Sequence, residues 1–260
     1  DYLGDYSDNR AISRDYAAGL HIFLDVAAEE NVKALKGQVT GPFSFGLTVA
    51  DQDQRPVLYD EALADALAKH LRLKAAWMEQ MLGAISQNTI IFIDEPYLSS
   101  IGSAFVSIPR EQVIALLEET LGGISGLKGI HCCGNTDWSL ILQTSIDILS
   151  FDAYNYGESL SLYPSEVKEF LERGGVIAWG IVPNDEPALP KESESSLLDN
   201  LEDKMGLLAK KGVDHNTIRS RCLITPSCSL ASLSAEEAGK ALELTAAVSA
   251  GFRQRHSVRN

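Results

Sequence analysis

His131 and Cys133 stand two residues apart in the segment Gly129-Ile130-His131-Cys132-Cys133-Gly134-Asn135. The segment reads as a strand, where side chains alternate between faces, so His131 and Cys133 point one way and Cys132 the other. An imidazole and a thiolate on one face are half of a tetrahedral zinc site. Cys228, in Thr225-Pro226-Ser227-Cys228-Ser229-Leu230, follows the last predicted strand, and a turn at Pro226 would bring its thiolate over the same strand ends. His131, Cys133 and Cys228 are therefore the expected zinc ligands. Cys132 and Cys222 face the other way and are expected to pack as small hydrophobes.

Other predicted strands also end in polar groups. Ile90-Ile91-Phe92-Ile93-Asp94-Glu95-Pro96 closes an apolar run with two carboxylates and a proline that stops it. Ionised carboxylates in such a place need a cationic partner, which a substrate ammonium or Arg110 would supply. Asp152 ends the strand after the His/Cys one and is read as a zinc ligand, an orienting partner of His131 or a substrate contact. Asn155, in the same segment, is grouped with the substrate contacts. Gln38 and Thr40 share one face of the strand before Gly41-Pro42; they hold substrate or are satisfied core groups. His21, His70, His215 and His256 lack ligand spacing, and Trp77, Trp138 and Trp179 read as core aromatics.

Strand-like and helix-like runs must alternate to place these residues at common strand ends. Strands are predicted at residues 34–40, 89–94, 127–133, 146–151, 176–181 and 221–225, and helices at 60–85, 110–121, 164–173, 195–211 and 235–252. In the long helix Leu63, Leu67, Leu71, Ala75 and Met78 form the expected buried stripe. Ser234 and Glu237 make a capping box at the start of the last one. The pattern predicts an α/β fold with a parallel sheet. A closed (β/α)8 TIM-type barrel needs eight such units and about 250 residues, so the expectation is a barrel lacking its first one or two strands. The whole chain, residues 1–260, reads as one catalytic barrel domain with a core at 33–252 and a basic, frayed tail at 253–260. The acidic loop 183–194, with Pro183, Pro187 and Pro190, reads as a mobile flap.

Composition narrows the partners. The 260 residues are 45% apolar and carry 36 acidic against 22 basic side chains, a net charge of −14. Such a surface repels phosphate backbones, so no nucleic-acid partner is expected. No apolar run is long enough to span a bilayer, and the first residues lack the pattern of a signal peptide. Four cysteines are too few for a disulfide scaffold. The expected setting is cytoplasmic, with no membrane partner.

The segments Gln38-Val39-Thr40-Gly41-Pro42, Asp94-Glu95-Pro96, His131-x-Cys133 and Pro226-Ser227-Cys228 occur in the order seen in cobalamin-independent methionine synthases. From about residue 34 to residue 250 the chain resembles the catalytic barrel of that family, within the superfamily it shares with uroporphyrinogen decarboxylase and corrinoid:thiol methyltransferases. The resemblance implies zinc held by His131, Cys133 and Cys228, with Asp152 where the family has a glutamate, and Asp94 as receptor for the amino group of homocysteine. Glu95, Gln38, Thr40 and Asn155 are the further expected substrate contacts, from their places at or near strand ends. The family's Gly-Ser strand, which binds the amino-acid carboxylate, has no counterpart before residue 34. Val182 stands near the place of the histidine that protonates the folate leaving group. The expected activity is zinc-dependent methyl transfer to a thiol, most simply homocysteine, from methylcobalamin, free or on a corrinoid protein, rather than from methyl-folate. The alternatives are a non-catalytic zinc- or corrinoid-binding partner and a metal-free decarboxylase-like enzyme.

Overall fold

The computed structural model describes residues 11–103 and 106–256. Six strands are connected in chain order, β1 (Leu35–Thr40), β2 (Thr89–Asp94), β3 (Leu127–Cys132), β4 (Ile148–Phe151), β5 (Val176–Val182) and β6 (Cys222–Pro226), in one sheet of order β1-β2-β3-β4-β5-β6. The registers of β1 with β2, β2 with β3, β4 with β5 and β5 with β6 are parallel. With helices between the strands, this is the repeating pattern of part of a (β/α)8 barrel. The chain divides into two compact units. The first runs to His131 and takes in Thr144–Ile146; the second comprises Cys132–Gln143 and the chain from Asp147 onward.

In the first unit α1 (Ala18–Ala27) precedes β1, α2 (Pro42–Thr48) and α3 (Glu61–Gly83) follow it, and α4 (Arg110–Leu121) precedes β3. Asp60 starts α3 by accepting from the backbone N–H groups of Ala62 and Leu63. The buried stripe of α3 is Ala64, Ala68, Leu71, Ala75, Met78 and Leu82, not one beginning at Leu63, which is 52% exposed. Leu71, Ala75 and Met78 are buried as expected, and only in the first two turns do Ala64 and Ala68 take the places expected of Leu63 and Leu67. In β1, Leu35 and Val39 are buried, while Lys36, Gln38 and Thr40 are exposed on the opposite face.

In the second unit α5 (Trp138–Leu142) precedes β4, α6 (Ala153–Tyr156) and α7 (Pro164–Glu172) lie between β4 and β5, and α8 (Glu194–Lys210) and α9 (His215–Ser220) lie between β5 and β6. Its core is built on three aromatics: Trp138 meets Phe151 edge-on at 5.3 Å, and Phe151 meets Trp179 at 5.5 Å. The final helix, α10 (Ala235–His256), starts with the expected capping box, in which Ser234 N–H and the Glu237 carboxylate, and Glu237 N–H and Ser234 Oγ, pair reciprocally. It continues four residues past its expected end. Arg255 pairs with Asp199 at 2.8 Å and His256 meets Glu202 at 3.0 Å, so contacts with α8 hold the part of the tail that includes these residues. The remainder of that tail, 257–260, lies outside the described residues. Among the described residues no helix is long and apolar enough to cross a membrane.

Candidate metal centre

The row of residues that closes the first three strands carries much of the polar chemistry. Thr40 pairs in register with Asp94, and Asp94 with His131, so the three side chains share one face at the C-terminal edge of the sheet. One pleat earlier on β1 lies Gln38, whose Nε2 donates to Asp94 Oδ2 at 2.8 Å. Lys36, two residues before Gln38, donates from its ammonium to Gln38 Oε1 and lies 4.8 Å from the centre of the Phe92 ring. Lys36 was invisible as a site residue in the sequence; its place two residues before Gln38 on the same face was the available signal.

Glu95 departs from the sequence expectation. As the neighbour of Asp94 in an extended segment it turns to the opposite face, and it is fully buried. Its carboxylate accepts from Phe43 N–H at 2.9 Å, Ser44 N–H at 2.8 Å and Ser44 Oγ at 2.6 Å. Those are donors of the first turn of α2, which has Pro42 near its start as a helix N-terminus allows. Ser44 Oγ also accepts from Tyr97 N–H at 3.1 Å, closing a clamp between the Gly41-Pro42 and Asp94-Glu95-Pro96 turns. Glu95 thus fixes the backbone that carries Asp94.

Burial raises the Glu95 pKa from the ordinary carboxylate range to about 7, against the lowering effect of its three hydrogen bonds. Between about pH 4.5 and pH 7 the unfolded chain ionises this group while the folded chain keeps its proton, so folding stability falls as pH rises across that window, by about 3 kcal/mol in all. Urea unfolding of the native protein and Glu95→Gln over pH 5 to 8 should show the stability gap between them narrowing as pH rises. A gap that is constant or widens would contradict the buried, proton-holding carboxylate.

Cys133 follows β3 directly and Cys228 lies two residues beyond β6. One ligand atom each from His131, Cys133 and Cys228 lies within 4.8 Å of the others, and all three residues are half-buried. Among the described residues this is the His, Cys, Asp and Glu group with metal-holding geometry. A hydrogen bond with Cys228 and then burial push the Cys133 thiol far up. Two thiols this close cannot both ionise on their own, and a divalent cation is what would let them. An imidazole and two thiols are the donor set of zinc sites, so the residues fit that ion.

The loop bearing Cys228 is fixed on both sides. Ser227 N–H donates to Val182 O at 2.8 Å and Ser227 Oγ to Asn184 Oδ1 at 2.8 Å, while Asn184 Nδ2 donates to Ser229 O at 2.9 Å. Gly180 permits the approach, because a Cβ there would stand 2.8 Å from Ser227 Cα and 2.5 Å from Phe151 O. Asn184 was missed in the sequence, where its segment reads as a flap. That segment is instead tied down: Leu189 is buried, and Tyr154 donates its hydroxyl to Glu192 at 2.7 Å.

Asp152 is buried at the start of α6 and is not drawn into the His/Cys/Cys group. Its Oδ1 accepts from Asn155 N–H at 2.9 Å and its Oδ2 from Asn155 Nδ2 at 2.7 Å. Asn155 is thereby directed at Asp152. Cys132 is fully buried, burial pushes the Cys222 thiol up to about 12, and Val182 is fully buried at the end of β5.

No family model matches the chain, and no curated protein matches it in sequence. In structure it is similar to a B12-independent methionine synthase from Shewanella sp. W3-18-1 in complex with selenomethionine. The TM-score is 0.62 and the identity 21%, over 90% of this chain and 67% of that one. The likeness is one of fold.

Proposed function

We propose that this chain is a zinc-dependent methyltransferase acting on a small thiol, a member of the cobalamin-independent methionine synthase family, with homocysteine as the acceptor and a methyl-corrinoid as the donor. The observation that carries it is the convergence of His131, Cys133 and Cys228 within 4.8 Å, in a fold like that of a methionine synthase. His131, Cys133 and Cys228 would hold the metal. Bound there, zinc would lower the acceptor thiol's pKa and so supply a thiolate near neutral pH.

The chain's own residues do the rest. Asp94 would bind the acceptor's ammonium group beside His131, its neighbour in register. Gln38 holds Asp94 by a hydrogen bond, and Thr40 lies in the same row to contact the acceptor. With His131, Cys133 and Cys228 as the protein ligands, a place is left for the acceptor sulfur, and Asp152, bonded to Asn155 through both oxygens, stands as the further carboxylate of the site. Residues 33–252 would act as one catalytic core in a reducing, cytoplasmic setting, where the cysteines stay thiols. The choice of donor is supported by the resemblance, which puts Val182 near the place of the family's proton-donating histidine. A folate nitrogen must be protonated as it leaves, and a buried valine is no acid, whereas a corrinoid leaves without a proton.

The test is a paired assay of the zinc-loaded full chain with homocysteine and either methylcobalamin or methyl-folate, following methionine formation. Turnover with methylcobalamin and little with methyl-folate is expected. Folate-dependent turnover without corrinoid would overturn the donor, and zinc binding without turnover from either would favour a non-catalytic partner in methyl transfer.

A further inference from the structure

The Lys36 ammonium, the Gln38 amide and the Asp94 carboxylate form a line of charge-assisted hydrogen bonds on one exposed sheet face. A glutamine amide turned end for end exchanges a donor for an acceptor, and the two ends must find opposite partners. Here Oε1 faces the Lys36 cation and Nε2 faces the Asp94 anion, so each partner forbids the turned arrangement. The Lys36 ammonium is held a second time, because it lies over the Phe92 ring at 4.8 Å. Phe92 pairs in register with Gln38 itself, so the cation, the amide and the ring are held by two neighbouring strands rather than by a loop.

We propose that Lys36 is a positioning residue for the acceptor site: by fixing the orientation of the Gln38 amide it holds the Asp94 carboxylate in the placement that receives the acceptor's ammonium group. This rests on Asp94 being that receptor. Lys36 itself touches no reacting atom. Its removal would let the amide turn, place a carbonyl oxygen against the carboxylate in part of the population, and loosen the acceptor's amino end.

The experiment compares the full chain with Lys36→Met, Lys36→Arg and the surface control Lys69→Met, whose ion pair with Asp65 lies on a helix of the same unit. Methionine keeps an unbranched apolar stem and removes the charge. With homocysteine and methylcobalamin, Lys36→Met should raise KM about tenfold and lower kcat by less, and Lys36→Arg should recover most of the loss. With a thiol acceptor that lacks an amino group, Lys36→Met should leave KM where it was. Equal losses for both acceptors, or none, would overturn the positioning role. The Gln38 side-chain NH2 resonances, followed in 15N-labelled protein, decide the matter independently of turnover. Lys36→Met should shift them and speed their hydrogen exchange, and Lys69→Met should not. If the native chain transfers no methyl group, a changed amide signal keeps the Lys36–Gln38–Asp94 device while the methyltransferase function falls. An unchanged one removes the device.

Discussion

Replacing Cys228 with serine should strip the protein of zinc, from about one ion per chain to less than about a tenth. A serine hydroxyl does not ionise at neutral pH, and the two remaining ligands, His131 and Cys133, cannot close a tetrahedral site. Cys133→Ser should do the same, because the two thiols face each other and share one hydrogen bond. The controls are Cys132→Ser and Cys222→Ser. Cys132 is fully buried, with its thiol 3.6 Å from Gly134 O, so a hydroxyl there retains an acceptor. The Cys222 thiol, pushed up to about 12 by burial, holds its proton at neutral pH and belongs to no metal-holding group among the described residues. Both controls should keep their zinc, measured by elemental analysis of protein purified without chelator. Zinc retained in Cys228→Ser, or lost in Cys222→Ser, would remove the centre from these residues.

Gly41→Ala should be strongly destabilising, costing roughly 3 kcal/mol or more. Backbone strain is not the cause: Gly41 has φ −80° and ψ 163°, which alanine adopts readily. The cause is space. A Cβ at Gly41 would stand 2.2 Å from Glu95 Oε1 and 2.5 Å from Glu95 Cγ. Glu95 is fully buried, so its carboxylate can yield only by leaving Phe43 N–H, Ser44 N–H and Ser44 Oγ without their acceptor. Urea unfolding should show the loss, and a double-mutant cycle assigns it. In a Glu95→Ala background the same Gly41→Ala change should cost much less, since the atoms it strikes are gone. Equal costs in both backgrounds would locate the damage elsewhere.

Much of the candidate site was legible in the chain because strand periodicity is strict. Once residues 127–133 are read as extended, His131 and Cys133 must share a face and Cys132 must leave it, whatever packs around them. The same rule placed Gln38 and Thr40 together and put Asp94 at a strand end. The alternation of strands and helices likewise announced a parallel α/β sheet before any contact was known. Val182, at the end of β5, was fixed as an apolar group by identity alone.

Tertiary structure decided the rest, because partners distant in sequence set it. Residue 95 follows residue 94, yet the alternation rule alone did not say that donors from α2, more than 50 residues earlier, would claim its carboxylate. Asp152 caps its own short helix and accepts from Asn155 through both oxygens, an engagement that its place at a strand end does not announce. At the start of α3 the small Ala64 and Ala68 are buried instead of Leu63 and Leu67, a choice that hydrophobicity alone does not register, while Leu71, Ala75 and Met78 are buried as expected. The approach of Cys228 to Cys133 spans nearly a hundred residues and depends on Gly180 and Asn184, neither of which carries a chemical signature in the sequence. Composition and spacing determined which atoms could do chemistry; long-range packing and hydrogen bonding determined which of them meet.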